Sequence, residues 1–103
     1  YDSEVVYDNL SLTGKDTLTV RYTLCGTAGA RYGITFFLNH KPVSFDGAVS
    51  YDVTLSKGNV WIIEATIDTA ELDGFNTFYA TAVAADNDFI TNKTDSILLY
   101  RED

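Results

Sequence analysis

Apolar and polar residues alternate along several short stretches of this chain, so that every second side chain is hydrophobic. A β-strand directs successive side chains to opposite faces of its sheet. Alternation therefore predicts a strand with one face in a core and the other in water. The predicted strands, each with its inward-facing residues, are 4–12 (Val6, Leu10, Leu12), 17–25 (Leu18, Val20, Tyr22, Leu24), 32–39 (Ile34, Phe36, Leu38), 48–55 (Val49, Tyr51, Val53, Leu55), 60–67 (Trp61, Ile63, Ala65, Ile67), 77–85 (Phe78, Ala80, Ala82, Ala84) and 95–101 (Ile97, Leu99).

Short runs of turn-forming residues separate the predicted strands. Glycine, asparagine and aspartate favour tight turns, and Pro42 cannot occupy the centre of a sheet because it has no amide hydrogen. About seven strands at spacings of about 8–12 residues, with no stretch of helical period, predict an all-β fold. The expected architecture is an immunoglobulin-like antiparallel β-sandwich, a single domain over residues 1–103, in which the second and fifth strands face the third and sixth.

The segment from Ile67 to Ala82 has the pattern of a corner between two sheets. A polar strand end is followed by Leu72, Gly74 and Asn76, and then by the alternation of the next strand. Glycine and asparagine supply the turn, and Leu72 is expected to close one end of the core. The corner predicts a β-sandwich and indicates no reaction.

This corner resembles the Ile-Asp-Thr…Leu-x-Gly-x-Asn-Thr corner of bacterial immunoglobulin-like and fibronectin type III-like modules. Residues 37–43, Phe-Leu-Asn-His-Lys-Pro-Val, are similar to the Asn-Gly-Lys-x-Val hairpin of those modules, with His40 where they usually have glycine. The resemblance implies a non-catalytic module cut from a larger bacterial protein that is secreted or bound to the cell surface. Such a module acts as a spacer, or packs against the neighbouring domains that are its partners.

The charge of the chain excludes one class of partner. The net charge is −8, and the seven Lys and Arg residues are scattered rather than gathered in a basic stripe. Binding to phosphate backbones requires such a stripe, so nucleic acid is not an expected partner. Membrane insertion is not expected either, because no apolar run approaches the roughly 20 residues of a membrane-spanning helix.

Catalytic chemistry is hard to assemble from this sequence. His40 is the only histidine and falls in a predicted turn, so neither a hydrolytic triad nor a zinc site is expected. Cys25 is the only cysteine and can form no intrachain disulfide, so we expect an inert thiol. Paired carboxylates serve a glycosidase only where a cleft holds the sugar, and a sandwich this small is expected to have none. We therefore expect no enzymatic activity.

One loop carries a cluster of oxygen ligands, namely Asp86, Asn87 and Asp88, with Asn92 and Asp95 following closely. Calcium takes six to eight oxygens from loops of this kind, so the cluster is a candidate calcium site. Aspartate and asparagine also favour turns without any metal, and this alternative stays open. Titration calorimetry with millimolar calcium separates the two, since a site gives heat and a higher melting temperature whereas a plain turn gives neither.

Three aromatic residues are expected on the outer face of one sheet. On a strand, the residue next in sequence to an inward-facing one points outward. Phe37, Tyr79 and Tyr100 are each next to a predicted inward-facing residue, so they are expected to point outward on adjacent strands. A contiguous apolar patch usually marks an interaction surface, so these residues form a candidate site for a carbohydrate or protein ligand. The alternative is that they form cross-strand pairs that stabilise the sheet, or are covered by a neighbouring domain.

Overall fold

The computed structural model describes residues 2–7, 12–14, 16–55, 59–85, 91–94 and 96–102. All regular structure in these ranges is β-strand, which confirms the predicted all-β fold. The strands are β1 (Asp2–Tyr7), β2 (Thr17–Cys25), β3 (Arg31–Leu38), β4 (Lys41–Pro42), β5 (Ser50–Thr54), β6 (Val60–Asp68), β7 (Gly74–Ala84), β8 (Thr91–Lys93) and β9 (Ile97–Arg101).

The strands form two antiparallel sheets that pack together as a β-sandwich. One sheet has the order β1-β2-β6. In the other sheet β3 and β7 are central and pair with each other. Strands β4 and β5 pair with the side of β3 that faces away from β7, and β8 and β9 pair with the side of β7 that faces away from β3. The predicted second and fifth strands thus share one sheet, and the third and sixth share the other. The two strands that the alternation did not predict, β4 and β8, are too short to show a period.

The core lies between the sheets and is centred on the ring of Phe36. This ring meets Tyr22 of the opposite sheet edge-on, with 5.4 Å between centroids, and stacks on Phe45 at 4.2 Å. Ala80 is the cross-strand neighbour of Phe36, so a small side chain lies beside the large one. The fully buried ring contributes about 2–3 kcal/mol of hydrophobic stabilisation.

Most of the predicted inward-facing residues lie in the core. Val49 is the clear error: it is exposed, because the chain turns at Asp46 and Gly47 and β5 begins only at Ser50. Every predicted inward residue of β2, β3, β6, β7 and β9 is buried or packs against the core, and so are Leu12, Tyr51, Val53, Leu55 and the corner residue Leu72.

Only part of the first predicted strand, residues 4–12, falls among the described residues. Strand β1 covers Asp2–Tyr7, and Val5 packs against the core because it is paired with the buried Tyr22. The side chains of Val6 and Leu10, which were expected to point inward, lie outside the described residues.

A two-residue turn at Asn39 and His40 joins β3 to β4. Both residues have positive φ, 53° and 66°, as a type I′ hairpin turn requires. The amide side chain of Asn39 accepts a hydrogen bond from the Thr77 amide at 3.0 Å and donates one to Asn76 Oδ1 at 2.9 Å. Asn76 is buried and donates in turn to the Asp73 carbonyl at 3.1 Å. Hydrogen bonds therefore connect this turn to the corner that opens β7.

A second tight turn, at Asp46 and Gly47, is fixed by Tyr51. The hydroxyl of Tyr51 donates a hydrogen bond to the Phe45 carbonyl, and Phe45 forms a bridge with Ala48 across the turn. Burial raises the pKa of the Tyr51 hydroxyl above its ordinary value, and the nearby Asp46 carboxylate adds to the effect. The folded state therefore favours the neutral phenol of Tyr51 over its ionised form.

We predict that His40→Gly stabilises the protein by about 0.5–1 kcal/mol, because glycine adopts a positive φ without the steric cost that histidine bears. Urea unfolding measures the difference. The matched control is Asn39→Gly, which relieves the same strain but removes the hydrogen bonds to Asn76 and Thr77, and is expected to destabilise. A stabilised Asn39→Gly variant would contradict this account of the turn.

We predict that Tyr51→Phe lowers the free energy of unfolding by about 1 kcal/mol at neutral pH, the usual worth of one hydrogen bond. Because the folded-state pKa is raised, the unfolded chain ionises first. The contribution is therefore present below pH 10.0, the ordinary pKa, and is lost as the pH rises toward the folded-state pKa. Thermal melts from pH 7 to 11 should show the difference in stability between wild type and the Tyr51→Phe variant becoming smaller as the pH rises. A difference that stays constant across this range would exclude the proposed role of Tyr51.

Candidate functional site

The outer face of the six-stranded sheet carries all three aromatic residues that the sequence singled out. Phe37, Tyr79 and Tyr100 alternate with core residues and point away from the sandwich interior. Phe37 and Tyr79 are cross-strand partners whose rings stack at 5.0 Å between centroids, with 14° between planes. We call these two residues the central pair.

Tyr100 does not join the central pair. It is the cross-strand partner of Phe75, and their ring centroids are 4.6 Å apart with 38° between planes. We call Phe75 and Tyr100 the end pair. Phe75 lies four residues before Tyr79 on β7, a distance of about 13 Å along an extended strand. The structure therefore divides the expected patch into two separate aromatic pairs.

The ring faces of the central pair are occupied within the sheet itself. Phe37 covers Tyr79 from the β3 side, and the ammonium of Lys93, on the opposite neighbour β8, lies 4.3 Å from the centre of the Tyr79 ring. His40 approaches the same ring at 5.8 Å. Tyr79 accordingly has no free face on which a sugar could stack. This geometry favours the cross-strand interpretation for the central pair.

The end pair is much more open. Phe75 is 70% exposed, Tyr100 is 37% exposed, and the adjacent Leu98 on the same face is 51% exposed. Strand β3 ends at Leu38, opposite Phe78, so the first residues of β7 extend past it. Of the described strands, only β9 flanks β7 at Phe75, and one side of the Phe75 ring is left without a strand neighbour.

Sequence reasoning missed Phe75 because it counted this residue as part of the corner turn. The available signal was parity: Phe75 lies an even number of positions before Tyr79, so a strand beginning at Gly74 puts both on the outer face. Leu98 alternates with the buried Ile97 and Leu99 and is exposed on the same outer face.

Acidic residues flank the end pair. The last rung of the ladder between β7 and β9 joins Gly74 to Arg101, and Asp73 and Glu102, both exposed, come one residue beyond it. The Glu102 amide donates to the Thr13 hydroxyl at 3.0 Å, which holds this end of the chain in place. Arg101 is buried on the core side of β9. The described charges beside the end pair on the outer face are therefore negative.

The described residues contain no group of three histidine, cysteine, aspartate or glutamate side chains that could hold a metal ion. The candidate calcium residues Asp86, Asn87 and Asp88 lie outside the described residues, as does Asp95, so that site stays a prediction. His40 and Cys25 are both exposed, one in a hairpin turn and one at the end of β2. Within the described ranges, no helix has the length and apolar character needed to cross a membrane.

We predict that Phe37 and Tyr79 stabilise each other by about 0.5–1.5 kcal/mol, the usual coupling of a stacked aromatic pair. A double-mutant cycle with Phe37→Ser, Tyr79→Ser and both changes together, followed by urea unfolding, measures this coupling. The matched comparison is Phe75→Ser, which is expected to cost less than either single change because the ring is largely in water. Independent, additive effects of the two central changes would exclude a structural pair.

Comparisons of the chain with known proteins found no match. No protein-family model matches it, and neither the curated proteins nor the solved structures include a significant match.

Proposed function

We propose that this chain is a non-catalytic, immunoglobulin-like module of a secreted or cell-surface bacterial protein, where it acts as a spacer or packs against neighbouring domains. The observation that carries the proposal is the shape of the sandwich together with the positions of its first and last strands. The bacterial and extracellular setting comes from the resemblance of the corner and hairpin motifs.

The molecule is elongated, with extents of 46 × 24 × 21 Å. Strand β1 begins with Asp2 paired to Cys25, at the end of β2. The opposite end of β2 is Thr17, which is paired to Asp68 just before the corner that leads into Gly74, and Gly74 is paired to Arg101. The first described strand therefore begins at one end of the sandwich, and the last one finishes at the other. Domains attached at these two ends would be held apart by roughly the long dimension.

The pairing of the strands supports the immunoglobulin-like part of the proposal. The second and fifth predicted strands, now β2 and β6, share one sheet, and the third and sixth, β3 and β7, share the other. This division is the one expected of an immunoglobulin-like sandwich, although a fold by itself does not determine function.

A second candidate function, that of a binding module, is favoured by one observation. The end pair and Leu98 expose apolar surface on one face, and such patches often mark interaction sites. A spacer role does not require this surface, and the two functions are compatible in one domain.

The spacer proposal is tested by replacing this segment within the complete gene product. An unrelated β-sandwich of similar length, also with its termini at opposite ends, should preserve the activity of the product. A sandwich whose termini lie side by side should not, because it would bring the flanking parts together. If both replacements work equally well, spacing is not the role of this segment.

The non-catalytic part of the proposal has its own measurement. The isolated chain, incubated with chromogenic glycosides, esters and peptides, should give no turnover above a buffer blank. Turnover that copurifies with the folded chain would overturn this part of the proposal.

A further inference from the structure

We propose that the end pair, Phe75 and Tyr100, is a docking site for an arginine or lysine side chain on a basic segment of a partner protein. This inference rests on the second candidate function, whose partner it names, and it is independent of the spacer role. It rests on three observations: the open face of the Phe75 ring, the contact of Lys93 with the central pair on the same sheet, and the negative charge around the end pair.

The first observation is the accessibility of the Phe75 ring. Tyr100 contacts it from the β9 side, and β3 ends too early to cover the other side. With 70% of the residue exposed, one ring face is open to a ligand. The face of an aromatic ring carries partial negative charge and attracts cations, most often arginine in proteins.

The second observation is that another aromatic pair on the same sheet, the central pair, already binds a cation. In the central pair, two cross-strand rings stack, and Lys93 places its ammonium 4.3 Å from the outer ring. The end pair has the same cross-strand rings, but no cation of the described residues lies over Phe75 or Tyr100. A cation from a partner would complete the same set of contacts there.

The third observation is the sign of the surrounding charge. Asp73 and Glu102 are exposed at the end of the same ladder, and the whole chain carries a net charge of −8. Among the described cations of this sheet, Arg31 lies at the opposite end and Lys93 is engaged with Tyr79. Two other described cations lie at the same end: Arg101 is buried on the core side of β9, and Lys41 is on the edge strand β4, paired with the core-facing Leu38. A positively charged partner is attracted to this end, and carboxylates can pair with a guanidinium that stacks on the ring.

The size of the patch argues against a second copy of this chain as the occupant. The exposed parts of Phe75, Leu98 and Tyr100 amount to roughly 300 Å² of surface, whereas a stable interface buries about 800 Å² on each partner. A second copy would also bring its own acidic residues against Asp73 and Glu102. A short basic segment fits both the area and the charge.

The test uses a short fluorescent peptide in which arginine alternates with leucine, and a twin in which citrulline replaces arginine. Citrulline keeps the planar shape, but it carries no charge and has an accepting oxygen in place of one donating amino group of arginine. Fluorescence anisotropy measures affinity at low and at high salt, and amide chemical shifts in NMR spectra locate the peptide on the protein. We expect the arginine peptide to bind about tenfold or more tightly than its twin, to weaken with salt, and to shift the amides around Phe75.

Matched variants separate binding to the Phe75 ring from general electrostatic attraction to an acidic protein. Phe75→Leu keeps apolar surface but removes the ring, and should weaken binding about threefold or more. Its control is Ile62→Leu, an apolar residue that is 56% exposed on the outer face of the other sheet, and it should leave affinity unchanged. Asp73→Asn with Glu102→Gln should also weaken binding, whereas Glu64→Gln, an exposed acid beside Ile62, should not.

Three results would overturn the proposal. One is the absence of binding by the arginine peptide. Another is binding that responds equally to the end-pair changes and to their controls, which would indicate diffuse attraction to an acidic protein. The third is neutral oligosaccharide binding that shifts the amides around Phe75 while the arginine peptide does not, which would assign this face to sugars. None of these results bears on the spacer role, because the replacement experiment tests that role separately.

Discussion

The contact between Phe36 and Tyr22 is the interaction on which the rest of this sandwich depends. The two rings come from the central strands of opposite sheets and meet edge-on in the middle of the core. Because a strand alternates its side chains, an inward Phe36 determines that Phe37 faces outward. Strand β7 pairs with β3 and its side chains alternate in the same way, so Tyr79 and Phe75 face outward as well. The packing of the core thereby determines which aromatic rings are in contact with solvent.

The sequence was sufficient to predict the all-β fold, the division of four strands between the two sheets and most of the core, since alternation reports burial directly. It failed where the chain changes direction. Val49 follows a tight turn, belongs to no strand and is exposed. Val5, which was not among the predicted inward residues, packs against the core. Alternation gives the parity within a strand but not the residue at which the strand begins, so ends near turns are the least predictable.

The candidate site was only partly predictable, because its geometry depends on the register between strands. Thr81 is opposite Lys93, whereas Phe78 is opposite Ile97, so one extra residue is accommodated between β8 and β9. At this bulge, the side-chain hydroxyl of the buried Thr94 accepts a hydrogen bond from the Ala80 amide, with 3.0 Å between oxygen and nitrogen. With this extra residue, Tyr100 is opposite Phe75 rather than Gly74, and Phe75 lies four residues from Tyr79 along β7. No local pattern of hydrophobic residues specifies that register.

The opposite placement of the first and last strands has a mechanical consequence. Tension applied at Asp2 and Arg101 pulls β1 and β9 along their own axes, in opposite directions. Hydrogen bonds in an antiparallel ladder run perpendicular to the strands, so this force loads each ladder in shear. All six rungs between β1 and β2, and all five between β7 and β9, resist together rather than opening one after another. A domain with this topology withstands stretching along its long axis better than the same number of hydrogen bonds pulled apart from one end.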